Sequence, residues 1–266
     1  VGSEMCIRDR ISPHAILLRA DSGEVLAEKD ADSTIYPASM TKMMTALLAI
    51  EANPDLDTPV TLPEEIFPAL QAQNASLAGF QAGETATVRD LLYGAMLPSG
   101  AECCEALARE VSGSEEAFAA RMNQKAAELG MTGTHFCNPT GLHDPEHVST
   151  VRDMARLTEA ALQNETFRKL FTTERYTVPA TNCHPQGFTM HSTLLSQLDG
   201  TELHRGRILG GKTGYTGEAG LCLASLAEVK GREYILVTAG AGGDHSTAPY
   251  HIEDAVTVYR RVSRGS

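Results

Sequence analysis

The sequence predicts an α/β (α+β) fold in which one five-stranded sheet is assembled from both chain ends and a helical lobe is inserted between them. Three observations carry that expectation. Two strand-like runs stand near the front, the middle is mostly helical, and three strand-like runs with Gly-rich turns precede a last helix. No repeat, low-complexity tract or long linker divides the 266 residues, and at 42% hydrophobic they can bury a sizeable core. The expected domain spans 11–266, with a sheet lobe at about 11–55 and 200–266 and a helical lobe at about 56–199.

At the front, Ala15 to Ala20, a turn at Asp21-Ser22-Gly23-Glu24, and Val25 to Glu28 read as a β-hairpin. Ser39-Met40-Thr41-Lys42, after Tyr36-Pro37-Ala38, opens a helix ending near Asn53-Pro54. Proline suits its start, and Met43, Met44, Leu47, Leu48 and Ile50 give it an apolar stripe. Thr61 to Val88 is mixed, with a strand-like piece at Val60-Thr61-Leu62 and a turn at Gly79 to Gly83. Thr87 starts a helix that stops at Pro98-Ser99-Gly100, and another runs from about Ala101 to Val111.

Glu115 to Leu129 is amphipathic, with Phe118, Met122, Ala126 and Leu129 on one side and Gly130 as its stop. Asn138 to Pro145 holds two prolines and a glycine and must be loop. Thr150 to Gln163 and Glu165 to Thr172 are helical. After Gly200, Arg207 to Thr216, Gly220 to Val229 and Arg232 to Ala239 read as strands, and Ile252 to Val262 as the closing helix.

Val1 to Arg10 (VGSEMCIRDR) resembles the in-frame translation of a sequencing-library adapter and is set aside. It carries two charges of each sign, so the net charge stays at −12. With those residues discounted, the lack of a signal peptide says nothing about export. A net charge of −12, a pI near 5.2 and no run of lysines or arginines argue against duplex nucleic acid or an anionic membrane surface as partner. No apolar stretch approaches the ~18 residues needed to span a bilayer. Setting Cys6 aside leaves Cys103, Cys104, Cys137, Cys183 and Cys222, an odd set with two adjacent, so small buried hydrophobes are expected and not a disulfide framework.

The chemistry centres on Ser39 and Lys42. Residues three apart share a helix face, so a hydroxyl and an amine can meet there. The helix N-terminus adds unpaired N–H groups and a positive dipole end, which suit an oxyanion. Alone, Ser-x-x-Lys arises about once by chance in a chain this long. It is joined, in order, by Ser99-Gly100-Ala101 and Lys212-Thr213-Gly214, the last following a Gly pair.

These three boxes resemble those of the penicillin-recognising serine enzymes. Pro37 to Thr45, Asn138 to Asp144, and Gly210 to Gly220 are similar in particular to the low-molecular-mass D-alanyl-D-alanine carboxypeptidases, and the resemblance covers about Ala15 to Val262. It implies a β-lactamase/transpeptidase-like, mainly antiparallel sheet. It also implies acyl transfer in which Ser39 attacks the carbonyl before the last D-alanine of a peptidoglycan stem peptide. β-Lactams would acylate the same serine. No cofactor or metal is needed, and an exported protein follows, with membrane attachment possible only through a segment not in the sequence.

Each residue has an expected role. Lys42 is the base if its amine is neutral, which needs burial or a second cation, and Lys212 is the natural one. Lys212, Thr213 and Thr216 would draw in the terminal carboxylate, and Gly214 would leave room for a substrate strand. The resemblance also implies an oxyanion hole made by the backbone N–H groups of Ser39 and Tyr215. Ser99 would pass a proton to the leaving amine.

Two departures stand out. The second box normally ends in Asn, whereas Ala101 has no polar atom, and Glu102 beside it is the candidate to compensate. The family's arginine for the substrate carboxylate has no counterpart in Gly242 to Asp254, where His245 and His251 are the only candidates and read more simply as surface or turn histidines. His143 and His147 flank Pro145 and so form no helical metal pair; His143 is expected to fasten its loop. Two other readings remain, a class A-like β-lactamase and a catalytically weak wall-binding homologue. The first lacks a Glu-x-x-Leu-Asn segment between the second and third boxes.

Overall fold

The computed structural model describes residues 7, 9–10, 12–199 and 203–265. Strands β1 (His14–Arg19) and β2 (Val25–Lys29) form the front hairpin, paired antiparallel with a bulge between Leu17 and Leu18. Strands β7 (Gly206–Thr216), β8 (Gly220–Val229) and β9 (Arg232–Ala241) come from the back. They join in the order β2-β1-β9-β8-β7, with every pairing antiparallel. The seam between the chain ends is β1 against β9, running from His14–Ala239 to Arg19–Tyr234. β7 is therefore an edge strand of this sheet, and the turn that carries Ser39 packs against it.

Between the strands lie α1 (Lys42–Ala52), α2 (Phe67–Ala72), α3 (Val88–Met96), α4 (Ala101–Ser112), α5 (Glu115–Glu128), α6 (Val151–Leu162) and α7 (Glu165–Thr172); α8 (Tyr250–Arg264) closes the chain. Local chemistry sets the starts. Thr87 and Asp90 form a reciprocal capping box, and Ser114, Thr150 and Asn164 cap α5, α6 and α7 through their side chains. α6 packs on one face of the sheet and α8 on the other.

α1 departs from its expected stripe. Lys42 to Ile50 are all buried, because α3, α4, α5, α6 and α7 surround the helix. A helix that is apolar all round belongs at the centre of a core, not on its surface. The strand-like piece at Val60-Thr61-Leu62 forms β3 (Pro59–Thr61), which pairs with β4 (Thr85–Thr87); α2, β4 and the hairpin of β5 (Arg175–Val178) with β6 (Phe188–His191) are elements the sequence reading passed over. Of the stretch set aside, Val1–Cys6 and Arg8 lie outside the described residues. Ile7 is buried in the cluster that α8 shares with the sheet, and Asp9 pairs with Arg261 at 2.8 Å.

The Asn138–Pro145 loop is built from its own side chains. Asn138 Oδ1 accepts from the backbone of Thr140 and Gly141 and from the Thr140 hydroxyl, and Thr45 on α1 donates to Pro139 O at 2.7 Å. Gly141 has φ +83°, and a Cβ there would stand 1.8 Å from Ala38 O. The loop is thus pressed against the turn that carries Ser39. We expect Gly141→Ala to lower the unfolding free energy by more than about 2 kcal/mol, combining left-handed strain with a backbone clash. Gly217→Ala has open space around it and is the control, expected within about 0.5 kcal/mol of wild type in denaturant titrations.

Candidate active site

Ser39 does not sit inside α1. It lies in a tight 3-10 turn, Ala38–Thr41, that precedes the helix, and Lys42 is the first α-helical residue. Pro37 leads into the turn, and Ala38 takes φ +47°, a conformation that costs a non-glycine residue energy. Lys42 Nζ nevertheless reaches Ser39 Oγ at 2.9 Å, so the expected pairing forms.

The second box closes on the same amine. Lys42 Nζ lies 2.9 Å from both Ser99 O and Ser99 Oγ. Lys212, at the middle of β7, donates to Ser99 Oγ at 2.9 Å and to Thr213 O at 2.7 Å. Ser99 has φ +67° and is buried, so this second strained position turns its hydroxyl between the two amines. Residues 57 and 113 positions apart in the chain thereby share one oxygen.

Both lysines are fully enclosed, and burial pushes both amines below their ordinary range. Lys212 is lowered further by the like charge of Lys42. Two ammonium groups around one hydroxyl repel, so the pair gives up its first proton as a unit. Cys103 and Cys104 supply no compensating charge. Burial raises both thiols, Cys104 to about 12, and they stay protonated as core groups. Lys42 donates to Ser39 Oγ, Ser99 O and Ser99 Oγ, and Lys212 donates to Ser99 Oγ and Thr213 O, so the Ser99 hydroxyl is the oxygen that both amines share. Ser99 Oγ then has both lone pairs occupied and keeps its hydrogen to give away.

Two cavities meet at this cluster, and Ser39, Ser76, Tyr215 and His245 line both. The first, about 240 Å³, also holds Ser99, Thr193, Thr213, Gly214 and His251. The second, about 430 Å³, also holds Lys42, Ala101, His143, Thr216 and Glu218. Thr213 and Thr216 are therefore split between the cavities. Thr213 Oγ1 lies 2.6 Å from Thr193 Oγ1, while Thr216 Oγ1 accepts from Ala219 N at 3.0 Å and braces the β7–β8 turn. Lys212 lines neither cavity.

Three expectations change. A Cβ on Gly214 would stand 2.9 Å from Ser39 N and 3.2 Å from Met40 N, so this glycine, which also lines the smaller cavity, lets β7 close onto the nucleophile turn. Glu102 does not replace the missing amide. Its carboxylate accepts from Ala78 N and Gly79 N at 2.9 to 3.1 Å, fixing a neighbouring loop. His251 is no surface histidine: it is buried in the first turn of α8 beside the smaller cavity, and its Nδ1 has no partner among the described residues. His245 is exposed and packs edge-on against Tyr215, centroids 4.9 Å apart.

His143 fastens its loop as expected, edge-on to Tyr36 with centroids 4.8 Å apart. Among the described residues, metal-capable side chains gather closely only at Cys137, Asp144 and Glu146, a set without His143 or any residue of the three boxes. Sequence reasoning missed Ser76 and Thr193, which follow elements it had not read, and gave His147 no role beyond excluding a metal pair. His147 Nδ1 accepts from Cys137 N at 2.9 Å, so Nε2 carries the hydrogen and donates to Thr41 Oγ1 at 2.8 Å, tying the loop to the nucleophile turn.

Burial pushes His147 and His251 from 6.5 down to about 4. Each folded-state value is depressed, so the unfolded chain binds more protons between about pH 6.5 and 4. The neutral-histidine contribution is full above pH 6.5 and drains away as pH falls toward 4. We expect unfolding free energy to drop across that window by on the order of 3 kcal/mol per histidine. His147→Asn should flatten the pH dependence measured by denaturant titration.

Comparison with known proteins agrees with this geometry. A sequence profile described as D-alanyl-D-alanine carboxypeptidase, of peptidase family S11, matches residues 6–243. The D-alanyl-D-alanine carboxypeptidase DacF of Bacillus subtilis is 37% identical over 235 residues, covering 85% of this chain but 57% of that protein. The D-alanyl-D-alanine carboxypeptidase of Streptomyces sp. strain K15 is 34% identical over 80% of this chain and 75% of its own length. The crystal structure of the Streptomyces K15 DD-transpeptidase superposes with a TM-score of 0.84 at 30% identity, covering 95% of this chain and 97% of that one. A D-alanyl-D-alanine carboxypeptidase structure from Mycobacterium tuberculosis gives 0.83 at 28% identity, over 98% and 94%. The antiparallel sheet and its helical insertion are thus the β-lactamase/transpeptidase-like architecture, and the chain belongs to the D-alanyl-D-alanine carboxypeptidase family.

Proposed function

We propose that this chain is a serine-type D-Ala-D-Ala carboxypeptidase that removes the terminal D-alanine from peptidoglycan stem peptides and is acylated by β-lactams at the same serine. The observation that carries the reading is Ser99 Oγ held 2.9 Å from both buried amines, with Ser39 2.9 Å from one of them.

The chemistry follows from that geometry. A serine hydroxyl is a weak nucleophile and needs an adjacent base. Neutral Lys42 takes the Ser39 proton as Oγ attacks the carbonyl carbon, and the backbone N–H groups of Ser39 and Tyr215 receive the negative oxygen. The C–N bond then breaks. The departing amine gains its proton through the Ser99 hydroxyl, which Lys42 reprotonates in turn. Free D-alanine leaves with its carboxylate in the smaller cavity, beside Thr193, Thr213 and the field of Lys212. Water then attacks the ester with Lys42 again accepting the proton, which releases the shortened peptide and restores Ser39.

The substrate lies in the cell wall, so an extracytoplasmic site of action is part of the proposal. Among the described residues no helix is long and apolar enough to cross a membrane. Residues 11–266 are read as one domain because a single cluster of buried side chains runs from Ile16 and Val237 on the sheet through Met44 and Leu47 to Phe167.

Wild type and Ser39→Ala, incubated with fluorescent penicillin and with a D-Ala-D-Ala peptide, test the reading. A slowly cleared adduct and D-alanine release, both lost in Ser39→Ala, support it. Rapid drug hydrolysis points instead to a β-lactamase, and silence in both assays to a binding homologue. Lys42→Ala should slow acylation by about 10²–10⁴-fold. Because burial lowers the Lys42 amine from 10.5, kcat/KM should rise with pH and level off below that value. A rise continuing through pH 10.5 would remove Lys42 as the base.

A further inference from the structure

Glu84 is a buried acidic residue that the acyl transfer leaves unused. It stands just before β4, and its side chain is wholly enclosed. An enclosed carboxylate is costly unless donors surround it. Here the donors come from two separate segments. Oε1 accepts from Gln81 N at 2.9 Å, within its own loop. Oε2 accepts from the Thr181 hydroxyl at 2.6 Å and from His184 Nδ1 at 2.8 Å, both on the connection between β5 and β6. Asn182 fastens the same segments a second time, accepting from Thr85 N at 2.9 Å and donating to Gly83 O at 3.0 Å. Phe188, at the start of β6, packs edge-on against Phe80 with centroids 5.0 Å apart.

Each segment continues into the wall of the smaller cavity. The loop before Phe80 carries Ser76, and the chain after β6 carries Thr193 and Gln197. Ser76 is anchored to the start of α4, its carbonyl accepting from Ala101 N at 2.8 Å. Thr193 is anchored to β7 through Thr213, at 2.6 Å. The two walls are thus held by different parts of the fold, and the Glu84 junction ties one to the other.

Thr181 explains why a carboxylate stands there. Its oxygen accepts from His184 N at 3.0 Å and Cys183 N at 3.3 Å, so both lone pairs are taken and its hydrogen needs an acceptor. Glutamate offers two acceptor oxygens. Glutamine would offer one, for which Gln81 N and the Thr181 hydroxyl would compete.

We propose that Glu84 is a positioning residue for the acyl transfer, tying the β3–β4 and β5–β6 hairpins together so that Ser76 and Thr193 hold the departing residue in a pocket of fixed width. The inference rests on the carboxypeptidase reading above and adds to it selectivity for the size of the residue released.

The test uses two peptides that differ only in their last residue, D-alanine or D-leucine, and measures release of that amino acid. Wild type, Glu84→Gln and His184→Ala are compared, with thermal melts of each. Val258→Ala, a core truncation in α8 on the other face of the sheet, controls for general loosening. Glu84→Gln should raise KM for the D-alanine peptide about fivefold with kcat within about twofold, as loss of a binding wall does. It should also cut the preference for D-alanine over D-leucine at least about threefold, because a fitted pocket discriminates by about tenfold or more. His184→Ala, at a side chain 23% exposed, should move both values the same way and carries the test if Glu84→Gln does not fold. No wild-type preference, a preference unchanged in the folded variants, a fall in kcat at constant KM, or an equal change in Val258→Ala overturns the Glu84 assignment and leaves the carboxypeptidase reading intact. No amino acid released from either peptide by wild type, with no penicillin adduct on Ser39, overturns that reading and this inference with it.

Discussion

Everything at the site depends on placing two lysine amines around one serine hydroxyl inside the protein. Ser99 Oγ is 2.9 Å from Lys42 Nζ and from Lys212 Nζ, and both side chains are at most 2% exposed. Removing an ammonium from water is costly, and a like charge at the same oxygen adds to that cost. The least expensive arrangement gives up a proton, and that concession supplies a base. The repulsion that makes the cluster unfavourable for folding is what makes it useful for chemistry.

The rest of the architecture holds that arrangement in place. Lys42 opens a helix surrounded on all sides, so its main chain has no room to retreat toward solvent. Lys212 lies on the edge strand of a sheet whose seam joins the two chain ends, and Gly214 lets that strand close onto the nucleophile turn. Ser99 occupies a strained turn between α3 and α4, with Glu102 fixing the loop alongside. His147 and Gly141 press a third segment against the turn that carries Ser39.

Much of this was legible in the sequence where the signal is local or periodic. The front hairpin announced itself by alternation around Asp21 to Gly23, and β7 to β9 by apolar runs between glycines. The Thr87 start, the amphipathic stripe with its Gly130 stop, and the helical runs after Thr150 and from Glu165 placed α3, α5, α6 and α7 to within a residue or two. The three boxes gave the cluster its members because each carries a side chain its spacing alone does not explain. What stayed hidden depends on contacts distant in the chain. The turn geometry of Ser39, the bracing by His147 from 106 residues away and the burial of His251 leave no mark on neighbouring residues. The β5–β6 hairpin is short and largely polar, too weak for a period-two signal.

Glu102 and Gly214 carry the more general lesson. Each sits inside or beside a motif, and from the motif alone each was assigned to the substrate. In the structure each also holds the protein together: one binds backbone N–H groups of a loop, and the other admits the backbone of the nucleophile turn. A reactive group held by strain needs its surroundings fixed more tightly than an ordinary surface residue does. Residues beside the nucleophile are therefore spent first on holding it, as Glu102 and Gly214 are.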